Sequence, residues 1–163
     1  MKNLAANLYL TLALLLGSIG TSWGNNFLKG LNAYHSGDFA TALSEWKPLA
    51  EQGHSPSQYN LGFMHDKEEG VPQGYETAVK WYTLAAEQGD SNAQNNLGVM
   101  FANGQGVPED FIYAHMWFSI STLNGNINGK KSREIIEKRM MATQIGMAEE
   151  LAQKCARNQF KDC

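Results

Sequence analysis

The sequence predicts an all-α solenoid of stacked antiparallel helix pairs, built as one domain. Three observations carry that expectation. Segments recur at a fixed offset of 36 residues, apolar residues within each period fall at helical spacing, and capping residues and glycines mark where each helix starts and stops.

The recurrence is dense. Leu61-Gly62 returns as Leu97-Gly98, Met64 as Met100, and Gly70-Val71-Pro72 as Gly106-Val107-Pro108. Ala50-Glu51-Gln52-Gly53 returns as Ala86-Glu87-Gln88-Gly89, with Asn124-Gly125 at the same place a third time. So many matches at one period leave little room for another architecture.

The chain opens on Met1 to Gly24, with Lys2, the apolar run Leu8 to Leu16 and then Thr21-Ser22-Trp23-Gly24. That is the layout of a secretory leader, and the run is too short for a spanning helix, which needs roughly 20 apolar residues. Residues 1–24 are therefore expected to be a signal peptide cleaved after Gly24, and 25–163 a repeat domain that does not insert into a membrane. Its repeats fall at about 26–53, 54–89 and 90–125, with capping helices within 129–157.

In the second helix of each period Ala78, Trp81, Tyr82, Ala85 and Ala86 form one stripe, copied by Ala42, Trp46, Leu49 and Ala50 and by Ala114, Trp117 and Phe118. Each copy opens on a capping residue before an aromatic, at Asp38-Phe39, Gly74-Tyr75 and Asp110-Phe111, and closes on Gly53, Gly89 or Gly125. Pro48 inside the first copy predicts a bend. In the first helix of each period Gly62 and Gly98 stand mid-helix at a cost of about 1 kcal/mol relative to Ala, which implies that another helix passes too close for a side chain. Ser55-Pro56 reads as a cap followed by a first-turn proline. After Gly125 the period fades, yet Ser132 to Met141 and Thr143 to Cys155 still carry amphipathic patterns.

The Leu-Gly-x-Met, Gly-Val-Pro, Ala-x-x-Trp-Tyr and Ala-Glu-Gln-Gly elements together resemble the Sel-one-like repeat, a relative of the tetratricopeptide repeat. The resemblance covers Asn26 to about Gln153 and implies four antiparallel helix pairs wound into a right-handed α–α superhelix with one concave side. Departures lie at the ends. Ser121-Thr122 replace the usual Ala-Ala, and the first repeat has His35-Ser36-Gly37 in place of the Gly-rich loop. The last two helices resemble the capping pair of exported family members.

Charge and cysteine content narrow the function. Without Lys2, 12 Lys+Arg stand against 16 Asp+Glu, a balance unsuited to nucleic acid. Asn25 to Gly129 holds four bases (Lys29, Lys47, Lys67, Lys80) against 11 acids, while Lys130 to Cys163 holds eight bases against five. Cys155 and Cys163, close together in a chain expected to be exported, read as a disulfide that staples the C-terminal cap. No histidine stands at ligand spacing to them, so neither a metal nor a cofactor is expected.

Catalytic constellations fail. Ser44-Glu45-Trp46-Lys47 has the Ser-x-x-Lys spacing of penicillin-recognising enzymes but lacks their Ser-Asp-Asn and Lys-Thr-Gly partners. Gly104-Gln105-Gly106 lacks the third glycine of a dinucleotide loop, and Asp66, Glu68 and Glu69 read as solvated charges.

A solenoid does offer an extended surface. With Ser57, Leu61, Gly62 and His65 inward, Tyr59, Asn60 and Phe63 face the groove, followed one repeat on by Asn95, Asn96 and Val99. The expected function is an exported, non-enzymatic scaffold holding another protein or peptide in the bacterial envelope or outside the cell. Two alternatives stand beside it: binding or slow hydrolysis of β-lactams, which cysteine-rich relatives suggest, and binding through the basic end at Lys130, Lys131 and Arg133.

Overall fold

The computed structural model describes residues 23–161 and Cys163. The expected leader lies outside the described residues except for its last two. Among the described residues every regular element is helical: α1 (23–35), α2 (Phe39–Glu51), α3 (Ser55–Lys67), α4 (Tyr75–Ala86), α5 (Ser91–Asn103), α6 (Phe111–Leu123), α7 (Ile127–Glu137) and α8 (Ala142–Arg157). None of these helices is long and apolar enough to cross a membrane.

The helix ends follow from local chemistry. Asp38 accepts from the Thr41 N–H, and Asp110 from those of Ile112 and Tyr113, so orphan donors of the first turn find a carboxylate. Gly53, Gly89 and Gly125 have φ of 91°, 89° and 86°, past the last turns of α2, α4 and α6. The α3 cap is His54, one residue before Ser55, and its Nδ1 lies 2.8 Å from Ser57 Oγ. Helix α2 runs continuously through Pro48. The ring removes one helical hydrogen bond on a solvent-facing side, where Ser44 and Pro48 are both exposed and water can serve the freed carbonyl.

Successive helices pack as antiparallel neighbours from α2 through to α7. The odd-numbered helices form one row, in which α3 touches α5 and α5 touches α7. What sets the approach within each pair is a glycine facing a ring. A β-carbon added at Gly62 would stand 2.6 Å from the Tyr82 ring, and one at Gly98 would stand 2.6 Å from Phe118. The first pair does the same with Gly30 and Trp46, at 2.4 Å. The helical penalty of each glycine, about 1 kcal/mol, is offset by burying an aromatic ring, roughly 2–3 kcal/mol.

Spacing between pairs is held by buried amides. Gln58 Nε2 donates to the Ala50 carbonyl and Gln94 Nε2 to the Ala86 carbonyl, each at 3.0 Å. The same two side chains accept from Gln88 Nε2 at 2.6 Å and Asn124 Nδ2 at 2.9 Å. Each amide thus ties together the ends of two successive even-numbered helices. The Gly-rich loops repeat as well: Gly70 (φ 71°) sits on Phe39, and Gly106 (φ 73°) sits on the Tyr75 backbone.

The C-terminal end departs from the expected fourth pair. Helix α7 starts at Ile127, five residues ahead of the predicted Ser132, because Asn126 caps it through the N–H groups of Asn128 and Gly129. It packs on α6 and α5, held partly by buried His115, whose Nε2 lies 3.0 Å from Glu137 Oε1. Helix α8 does not pair with it and returns to α6. The reason lies in the period: Glu134 stands 36 residues after Gly98, and Lys154 stands 36 after Phe118. Both halves of the glycine-on-ring contact are missing.

Ala152 and Cys155 instead join the core around Tyr82 and Trp117. Cys155 is bonded to Cys163 with a Cα–Cα distance of 5.3 Å, and Phe160 reaches the turn at Gly89. Gln159 and Phe160 hold φ of 54° and 65°, left-handed conformations that the disulfide helps to retain.

Two predictions follow from this packing. Gly98→Ala should lower stability by about 1–3 kcal/mol through overpacking against Phe118, whereas Gly146→Ala, in open space on α8, should raise it by about 1 kcal/mol; thermal melts of the two variants give the signs. Reducing Cys155–Cys163 should remove roughly 2.5 kcal/mol, the loop-closure value for so short a ring, and lower Tm by roughly 5–10 °C. An unchanged melt in reductant would contradict it.

Candidate functional site

The feature best suited to hold another molecule is a cleft of about 240 Å³ between α1 and α3, lined by Leu31, Tyr34, His35, Tyr59, Asn60 and Phe63, with Trp46 at its floor. Its residues come from three helices, and the first glycine-on-ring pair builds it. Gly30 lets α2 approach so closely that Trp46 is 1% exposed and donates through Nε1 to the Phe27 carbonyl at 3.2 Å. Tyr34 lies beside Trp46 with centroids 5.6 Å apart and the rings tilted by 37°. From the other wall Tyr59 lies 6.3 Å from Phe63 and 6.0 Å from Tyr82.

Carboxylates surround these rings. The Tyr34 hydroxyl donates to Glu69 Oε2. Burial, then the Glu69 hydrogen bond and charge, push the Tyr34 hydroxyl up to about 12. Burial raises Tyr59 as well, with Asp90 and Asp66 adding to it and Asn96 opposing. Tyr82 is raised first by burial and then by Asp66. All three phenols therefore stay neutral donors at physiological pH.

The six expected groove residues divide into two groups. Tyr59, Asn60 and Phe63 line the cleft together. Asn95, Asn96 and Val99 do not join them, since they are engaged in packing between repeats. Asn96 Nδ2 donates to the Tyr82 hydroxyl at 3.1 Å, Asn95 accepts from Ser132 Oγ at 3.3 Å, and Val99 packs on the cluster of Ala114, Phe118 and Ile136. His65, expected inward, is only half-buried, and Met64 takes the inward place. Ser57, Leu61 and Gly62 are buried as expected.

The contribution of α1 was not among the expected site residues. Its signal is a shift of 32 in place of 36, which aligns Gly30 with Gly62, Phe27 with Tyr59 and Leu31 with Phe63. The first loop is four residues shorter, so the standard period misses it.

Elsewhere, Ser44 Oγ donates to the Thr41 carbonyl on the exposed side of α2, which fits the helical reading of that segment. At the basic end Lys130 and Lys131 are exposed, and Arg133 Nε lies 3.3 Å from Glu137 Oε1. Among the described residues no three His, Cys, Asp or Glu side chains converge as a metal site.

Comparison with known proteins agrees with this geometry. The Sel1 repeat family matches residues 55–90 and 91–126. A protective antigen present in uropathogenic Escherichia coli strains displaying an SLR fold superposes with a TM-score of 0.79 at 29% identity, over 85% of this chain and 31% of that one. A Sel1 repeat protein from Oxalobacter formigenes superposes with a TM-score of 0.67 at 25% identity, over 80% of this chain and 54% of the other. The chain thus spans about a third and about half of these neighbours. No curated protein matches in sequence. The chain carries two Sel1 repeats, at residues 55–90 and 91–126, within an α–α solenoid fold.

The cleft residues differ in what they hold up. Tyr59→Ala removes a ring packed on Tyr82 and should cost about 2 kcal/mol or more, while Asn60→Ala should stay within about 0.5 kcal/mol. Equal losses in chemical denaturation would show that Asn60 belongs to the packing and not to the cleft surface.

Proposed function

We propose that this chain is exported and acts as a scaffold, holding a segment of another protein in the cleft between α1 and α3 in the bacterial envelope or outside the cell. The observation that carries the reading is the cleft itself: aromatic walls over a buried tryptophan, open on the row of odd-numbered helices in a repeat fold that generally mediates protein–protein contact. The leader-like pattern of Met1 to Gly24 supports export, as does the structural likeness to a protein described as a protective antigen. Trp23 bears on where the mature chain starts. Its Nε1 donates to Gln52 Oε1 at 3.2 Å and its ring meets His54 at 5.7 Å, so cleavage after Gly24 removes a contact that cleavage a few residues earlier keeps.

The test combines fractionation with capture. Expressed in a Gram-negative host, the chain should lose its leader and reach the periplasm or medium, with N-terminal sequencing showing a start at or near Asn25. A crosslinking pull-down from envelope extract should capture one or two proteins that the Tyr59→Ala/Phe63→Ala chain does not. Retention of the uncleaved chain in the cytoplasm would refute export. Turnover of a chromogenic β-lactam that disappears with a single substitution would replace the scaffold reading with an enzymatic one.

A further inference from the structure

The charge around the cleft says what kind of segment it takes. Asn25 to Gly129 holds four bases against 11 acids, a net charge of 4 − 11 = −7. Of the four bases, Lys29 is paired to Glu45 at 2.5 Å and Lys67 to Asp66 at 2.9 Å, while Lys47 and Lys80 lie exposed on the even-numbered helices. Among the described residues no lysine or arginine lines the cleft. Its walls are ring faces backed by carboxylates: Glu69 holds the Tyr34 hydroxyl, and Asp66 and Asp90 bear on Tyr59. A negative surface over aromatic faces attracts cations both at long range and in contact.

The molecule already displays the interaction. Lys67 Nζ stands 5.9 Å from the centre of the Phe63 ring while paired to Asp66. The volume, about 240 Å³, is below the usual range of small-molecule pockets and suits one or two side chains of an extended segment. Asn60 offers an amide donor and acceptor beside them.

Resting on the scaffold reading, we infer that the cleft recognises a cationic segment of a partner protein, in which a lysine or arginine next to an apolar residue enters between Tyr34, Tyr59 and Phe63. The apolar neighbour meets Leu31 and Phe63, and the cation lies over the tyrosine rings toward Glu69.

The experiment is selection of a random heptapeptide library on the purified chain, followed by affinity measurement of the selected peptides as free, terminally blocked molecules. Selected peptides should be enriched several-fold in Lys or Arg beside an apolar residue. Replacing that residue by norleucine or citrulline should weaken binding at least tenfold, and raising salt should weaken it further. Asn60→Asp should strengthen binding and Asn60→Lys should weaken it, an opposition of sign that loss of packing would not produce. Cation-free peptides bound as tightly, with both Asn60 variants neutral and Phe63→Ala disruptive, would overturn the cationic inference and leave the cleft as the binding site. Peptides that bind undisturbed by Asn60→Lys and Phe63→Ala alike would overturn the cleft itself. Sedimentation of the chain alone should show a monomer; a dimer broken by Asn60→Lys would make the occupant the basic C-terminal end of a second copy and overturn the choice of partner.

Discussion

The structure depends on one contact, the glycine of an odd-numbered helix against the ring of the helix that follows it. At Gly30, Gly62 and Gly98 a single added carbon would overlap Trp46, Tyr82 or Phe118, so backbone and ring meet without an intervening layer. Close-packed interiors transmit such constraints. Because the contact fixes how near each pair comes, it fixes where neighbouring pairs stack, and the buried Gln58 and Gln94 amides then hold the even-numbered helices at a constant step. Where Glu134 and Lys154 replace glycine and ring, pairing stops. Helix α8 is free to fold back onto α6, and the disulfide closes the tail over the second repeat.

The cleft is a consequence of the same contact at the other end of the stack. Gly30 brings Trp46 up between α1 and α3, while Tyr34, Tyr59 and Phe63 stand around it. One repeat further on the corresponding positions are Asn95, Asn96 and Val99, which are engaged by Ser132, Tyr82 and the Phe118 cluster. Identical scaffold positions therefore give an open aromatic site in one place and a filled joint in the next. The outcome depends on whether the side chains present can satisfy one another.

Much of this was legible in the sequence because repetition doubles every signal. The helix starts at Asp38 and Asp110, the glycine stops and the close approach at Gly62 and Gly98 each rest on local chemistry that one period confirms in the next. Tyr59, Asn60 and Phe63 came together by a different route, as the positions of α3 left over once Ser57, Leu61 and Gly62 face inward. What escaped was what breaks the period. The four-residue deletion after α1 hid Gly30 and Leu31, and the asparagines of α5 carry no local sign of whether a neighbour's hydroxyl will reach them. The parting of α7 from α8 was written in Glu134 and Lys154, but amphipathic patterns alone do not distinguish a helix that pairs forward from one that folds back.

The surface proposed to meet a partner is the α1–α3 end of the row of odd-numbered helices. Site-specific photo-crosslinking in the producing cell tests it most directly, with the photoreactive residue placed in turn at Asn60 in the cleft, at Ser44 on the outer side of α2 and at Lys131 on the basic end. One discrete adduct is expected from position 60 and none from 44 or 131. Adducts from 131 with none from 60 would contradict this assignment and move the function to the C-terminal cap.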